Sequence, residues 1–210
     1  MDYPDELKLY KILSKNYNID INKIAIGLGS SDVLQRILNY CIDDNVFIIQ
    51  PTFKLVEAHC KVKNIKYFNI DNPEKTDFKN KVVYISNPNG NTGEIYCNNI
   101  IERIINDSSI AIIDEAYIEY SNANSFLNSN LNNIIVLRSL SKSLGIAGLR
   151  CGFAYTNNKK VLKYLQENRP QYITTTETVN RVEKLLPYKE EHINRMLETK
   201  LYLQNKYEHN

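Results

Sequence analysis

The sequence is poor in the residues that hold metals and drive nucleophile–base chemistry. Its 210 residues include three histidines, His59, His192 and His209, and four cysteines, Cys41, Cys60, Cys97 and Cys151. No Cys-x-x-Cys pair exists, so zinc-type spacing is missing and the cysteines read as reduced, mostly buried thiols. With so little histidine, a Ser-His or Cys-His scheme is weakly supported, and any acid–base chemistry falls to another residue type. No apolar run approaches the roughly 18 residues of a membrane span. No basic stripe marks a nucleic-acid surface: 26 Lys and Arg are interspersed with 24 acids, for a formal net charge of +2. The opening run MDYPDELKLYK is too polar for a signal peptide. A cytoplasmic protein without nucleic-acid or membrane partners is therefore expected. What is present, 43% hydrophobic and 24% charged residues, is ordinary for a globular chain. At this length about 70% of the unfolded surface can be buried.

Apolar residues recur with two periods. Leu7, Leu9, Ile12 and Leu13 fit an amphipathic helix over 5–17. Ile24-Ala25-Ile26 reads as a strand, and Val33, Leu34, Ile37 and Leu38 as one face of a helix to Cys41, with Ser30 or Ser31 as its N-cap. Val46–Ile49, ended by Pro51, is the kind of continuous apolar run that suits a strand buried on both faces. The alternation continues with a helix over 54–63, strands over 65–70 and 82–85, a helix over 98–106, and strands over 110–113, 134–137 and 151–155. From Asn158 onward the pattern is mostly helical. This implies an α/β fold: a mostly parallel, mixed seven-stranded sheet flanked by helices.

In such sheets ligands sit beyond the carboxyl ends of the strands. Four polar clusters fall there: Gly27–Asp32, Ser86–Gly93, Asp114–Tyr117 and Ser139–Lys142. The densest chemistry lies in Ser139-Leu140-Ser141-Lys142-Ser143-Leu144-Gly145-Ile146-Ala147-Gly148-Leu149-Arg150. A lysine at the end of a buried strand is costly to keep charged and becomes a nucleophile suited to Schiff-base formation. Gly145 and Gly148 allow the backbone to turn closely around a ligand, and Arg150 offers a planar fork for a phosphate. Gly27-x-Gly29 after a strand is a partial nicotinamide-binding signature, but the third glycine is replaced by Asp32.

The lysine segment resembles the cofactor-lysine motif of the pyridoxal-phosphate-dependent aminotransferases of fold type I, class I/II, and most of all the histidinol-phosphate aminotransferase group. Ile113-Asp114-Glu115-Ala116-Tyr117-Ile118-Glu119-Tyr120, Pro51-Thr52-Phe53, Gly27–Asp32 and Tyr3-Pro4 resemble further motifs of that group in the same order. The resemblance implies pyridoxal 5'-phosphate as cofactor, an amino donor and an oxo acceptor as substrates, and a homodimer. It implies Lys142 as the lysine joined to the cofactor and shuttling a proton, Asp114 as partner of the pyridinium nitrogen, and Tyr117 as donor to the 3′-oxygen. Phe53 would stack on the ring, while Ser30, Ser31, Ser139, Ser141 and Arg150 would hold the phosphate. Tyr3 would reach toward the phosphate across the dimer interface.

The likeness has departures. Asn87-Pro88-Asn89-Gly90-Asn91-Thr92-Gly93 places Gly90 where the group has the Asn that touches the 3′-oxygen, leaving Asn89 or Asn91 as its replacement. The sequence begins near the Tyr-Pro motif and ends at Asn210, so the group's N-terminal arm and small C-terminal domain, with its carboxylate- or phosphate-binding arginine, are expected outside it. On this reading 1–186 is the cofactor-binding large domain and 187–210 the helical start of the connection to the small one. Three activities remain open: transamination, decarboxylation of a phosphorylated amino acid, and none at all, as a remnant or split subunit.

Overall fold

The structure, a computed structural model, describes residues 3–207. Seven strands form one sheet: β1 (Ile24–Leu28), β2 (Val46–Ile49), β3 (Tyr67–Ile70), β4 (Val82–Ser86), β5 (Ile110–Asp114), β6 (Ile134–Ser139) and β7 (Cys151–Thr156). Their order is β1-β7-β6-β5-β4-β2-β3, and β7 alone runs antiparallel to the other six. The helices are α1 (Glu6–Tyr17), α2 (Ser30–Tyr40), α3 (Leu55–Val62), α4 (Asn98–Asp107), α5 (Leu140–Ser143), α6 (Lys159–Glu167), α7 (Thr176–Leu185) and α8 (Lys189–Tyr207). The mixed seven-stranded α/β sheet expected from the sequence is the one observed.

The apolar runs are continuous because both faces of the sheet are covered. Successive residues alternate between two cores. Ile24, Ile26, Val83, Ile85, Ala111, Ile113, Ile134 and Val136 pack with α1, α4 and α7. Ala25, Val82, Tyr84, Ile110, Ile112, Ile135 and Leu137 pack with α2, α3 and α6. Local signals bound the helices: Asp5 caps α1, Asn158 caps α6 and Thr175 caps α7, each through its side chain. Left-handed Asn18 closes α1.

Two sequence expectations are corrected here. Helix α2 begins at Ser30 rather than Val33, with Gly29 as its N-cap and no side-chain cap bond, so Ser30 and Ser31 are first-turn residues and not caps. Gly145 does adopt a positive φ of 64°, but Gly148 does not, and a side chain there would meet open space; only Gly145 is required by its backbone.

Candidate active site

The carboxyl ends of β1, β4, β5 and β6 open on a pocket of about 340 Å³, lined by Gly29, Ser30, Ser31, Phe53, Ser86, Gly90, Asn91, Asp114, Ala116, Tyr117, Ser139, Ser141, Lys142, Ala147 and Arg150. Of the eleven residues expected in the site, Ser30, Ser31, Phe53, Asp114, Tyr117, Ser139, Ser141, Lys142 and Arg150 meet there.

One wall is the N-terminus of α2, where free backbone N–H groups and the helix dipole favour an anion. It is pressed against β7 because Gly152 has no side chain: a Cβ there would lie 2.2 Å from the Ser30 nitrogen and 2.6 Å from the Gly29 carbonyl carbon. Gly29, at φ 81°, turns the chain into the helix, and its missing Cβ leaves room for the Arg150 guanidinium. Below the turn, buried Arg36 donates to the Ile26 carbonyl at 2.7 Å and pairs with Asp32 at 2.8 Å. Gly152→Ala is expected to cost about 3 kcal/mol in urea denaturation, since backbone rather than a mobile side chain blocks the new methyl group. An unchanged midpoint would show that this approach is looser than described.

Asp114, at the end of β5, is buried. Its Oδ2 accepts from the Tyr84 hydroxyl at 2.8 Å and its Oδ1 from the Ala116 N–H at 3.0 Å. Burial pushes its carboxyl above the usual carboxylate range, against the lowering effect of those two donors. Among the described residues no cation pairs with it. A buried carboxylate lacking a counter-charge, on a ligand pocket, suits a cationic group brought in by the ligand.

Lys142 sits on the single turn of α5, capped by Ser139, whose Oγ accepts from the Ser141 N–H at 3.3 Å. The Tyr120 hydroxyl donates to the Lys142 carbonyl at 2.5 Å, and the Lys142 Nζ stands 5.3 Å from the centroid of the Tyr117 ring. The lysine is exposed rather than buried at its strand end, a correction to the burial expected from sequence. Its side chain borders a second, more open chamber of about 460 Å³, bounded by Tyr117, Tyr120, Ser141, Gly145 and, from α8, His192, Met196, Leu197 and Lys200.

Two expected residues lie elsewhere. Asn89 is buried beneath the pocket, its Nδ2 donating to the Pro51 carbonyl at 2.6 Å and its Oδ1 accepting from the Asn91 N–H at 2.9 Å. Asn91 does line the pocket, with its Nδ2 donating to the Thr52 carbonyl at 2.8 Å. The two asparagines tie the 88–91 loop to the segment carrying Phe53, so Asn89 is spent on the scaffold. Tyr3 does not reach this pocket; it stacks on Tyr172 with ring centroids 4.4 Å apart.

Sequence reasoning missed the support behind the site. Arg138 on β6 lies with its Nε 3.0 Å from Glu115 and its Nη1 2.8 Å from Glu119, all three buried side chains. Ser125 bridges them, donating to Glu115 at 2.7 Å and accepting from Arg138 at 2.9 Å. The signal was a lone arginine following an apolar strand run, but its partners lie 19 and more residues away in sequence.

The class I and II aminotransferase family matches residues 9–209. The chain belongs to that family. It is 35% identical over 184 residues to the histidinol-phosphate aminotransferase of Buchnera aphidicola subsp. Cinara cedri, covering 77% of this chain and 52% of that protein. It is 33% identical over 197 residues to the one from Methanocaldococcus jannaschii, covering 82% and 52%. The chain thus spans about half the length of the curated relatives it matches. In fold it is similar to the histidinol-phosphate aminotransferase of Sinorhizobium meliloti solved with pyridoxal-5'-phosphate, with a TM-score of 0.81 at 17% identity over 97% of this chain and 62% of that one. It is similar at TM-score 0.79 and 20% identity to an L-threonine-O-3-phosphate decarboxylase from Porphyromonas gingivalis, over 89% and 60%. At these identities the solved structures speak for the fold alone: the mixed seven-stranded α/β sheet is the one these proteins share.

Proposed function

We propose that this aminotransferase-family chain binds pyridoxal 5'-phosphate in the 340 Å³ pocket and serves amino transfer between an amino acid and an oxo compound. A phosphorylated oxo compound is the first acceptor to test. One observation carries the reading: a lysine, a buried carboxylate lacking a counter-charge, and a helix N-terminus beside an arginine face the same cavity.

The residues fit the group. The cofactor supplies an aldehyde for attachment and a protonated ring that accepts electrons. The α2 N-terminus, with Ser30, Ser31, Ser139, Ser141 and Arg150, holds the phosphate by N–H, O–H and guanidinium donors. Phe53 supplies an apolar face for the ring. Asp114 would keep a proton on the ring nitrogen, which in turn would relieve the carboxylate of its isolation. Tyr117 would donate to the ring oxygen, and the Lys142 Nζ would hold the cofactor through its aldehyde carbon, with water released, and would carry the substrate proton. Residues 1–186 act as the cofactor domain and 187–210 as the start of the connection to a further domain. Four free cysteines, three of them buried, favour a reducing compartment, and we place the protein in the cytoplasm. No described helix is long and apolar enough to cross a membrane. A homodimer, with Tyr3 serving the partner's site, completes the proposal.

Decarboxylation is the weaker alternative, because the decarboxylase shares the fold at 20% identity whereas the sequence relatives above are aminotransferases. The test is a visible titration of the purified chain with pyridoxal phosphate, repeated with inorganic phosphate as competitor. A saturable band that phosphate suppresses is expected. A folded chain that yields no band overturns the proposal and favours a remnant or split subunit.

A further inference from the structure

Gly90 lies on the pocket wall, and its glycine character is not a backbone requirement. The glycines with positive φ are Gly29, Gly93 and Gly145. What excludes a side chain at residue 90 is the Tyr117 ring. A Cβ there would lie 2.4 Å from Cε2, 3.0 Å from Cδ2 and 3.3 Å from Cζ of that ring.

Neither loop backbone is free to yield. Residues on both sides of Gly90 are tied down, Asn89 to the Pro51 carbonyl and Asn91 to the Thr52 carbonyl. Tyr117 is attached to the end of β5, where Asp114 is locked by Tyr84 and by the Ala116 N–H. The ring, turning about its own side-chain bonds, is the part that moves. The Lys142 backbone is held through its carbonyl by the Tyr120 hydroxyl, and its Nζ rests 5.3 Å over the Tyr117 ring, so a displaced ring changes that contact.

We infer that Gly90 is a positioning residue. By leaving its space to the Tyr117 ring, it seats the phenol against the pocket wall and sets the alignment of Tyr117 with the Lys142 amine. A methyl group at residue 90 swings the ring away and uncouples the two.

The packing part of this inference stands on the cofactor-free chain; the part that reads the lysine rests on the proposed cofactor. The test therefore has two arms. In the first, the full chain is labelled with 13C-tyrosine and the Tyr117 ring resonance is assigned with Tyr117→Phe. Gly90→Ala is expected to move that resonance; an unmoved resonance overturns the inference. In the second, the pH midpoint of the pyridoxal phosphate band is measured for wild type, Gly90→Ala, Tyr117→Phe and the double variant. Loss of the phenol is expected to shift the midpoint by about one unit in the wild-type background, the size of one hydrogen bond, and by little in the Gly90→Ala background. Equal shifts in both backgrounds overturn it. A wild-type chain that forms no band refutes the proposed cofactor, and the resonance still decides the packing. Should Gly90→Ala fail to fold, Gly90→Ala with Tyr117→Ala is expected to fold, because the colliding ring is gone; failure of that pair also overturns the inference.

Discussion

Lys142→Ala is expected to leave a folded chain that forms no visible band with pyridoxal phosphate and gains no cofactor mass after borohydride reduction. The effect is all-or-none because, among the described residues, Lys142 is the lysine lining the 340 Å³ pocket. The side chain is exposed and rests against the Tyr117 ring, so stability should change by no more than about 0.5 kcal/mol. The pocket wall at the α2 N-terminus does not depend on it: α2, Gly29 and Arg150 are held by Gly152, Arg36 and the Leu28 and Ala147 carbonyls. The variant should therefore still bind the cofactor without a bond, and quenching of tyrosine fluorescence by pyridoxal phosphate measures this. A stoichiometric band in Lys142→Ala would move the attachment to another lysine and refute the assignment.

Arg138→Met is expected to cost about 3–5 kcal/mol, because it leaves Glu115 and Glu119 as buried carboxylates without their cation. The loss depends on pH in a definite direction. Burial already holds Glu115 above the usual carboxylate range, with Arg138 pulling it down; removing the arginine raises it further. The native state then binds more protons than the unfolded chain between the unfolded value of about 4.3 and the raised folded value. Stability falls as pH rises through that window, so the deficit is greatest near neutrality and narrows on acidification. Urea midpoints measured at neutral pH and near pH 5 check this. A pH-independent deficit would mean that lost packing against Tyr17, whose ring lies 5.6 Å from the guanidinium, is the whole effect. Adding Glu115→Gln to the variant should recover part of the loss at neutral pH.

That pair of results would also bear on the site. Glu115 follows Asp114, and Arg138 precedes Ser139 and the Lys142 turn. The ion cluster ties the end of β5 to the end of β6 where the pocket opens, and Ser125 and the Phe126 N–H close it from the loop. A weaker cluster should loosen the distance between the buried carboxylate and the lysine, read as a lower affinity for pyridoxal phosphate.

Much of the molecule follows from local pattern. Runs such as Val82–Ile85 and Ile134–Leu137 are apolar at every position because each face of the sheet meets helices, so seven strands could be counted without contacts. The strand-end clusters were legible for the same reason: polar residues directly after a buried strand have one place to go. Nine of the site residues named from sequence therefore met in one pocket. Tertiary packing decided what depends on contacts between distant segments. Asn89 and Asn91 are equivalent in sequence, but the Pro51 carbonyl lies within reach of the first and removes it from the pocket. Arg138 declared a buried charge without declaring that Glu115 and Glu119 neutralise it. Gly90 looked like a lost side chain, and only the Tyr117 ring 2.4 Å from its missing Cβ shows the space to be filled. Hydrophobic period and strand-end polarity are properties of a segment. Which donor meets which acceptor, and which ring fills which gap, is set by how segments far apart in the chain are brought together.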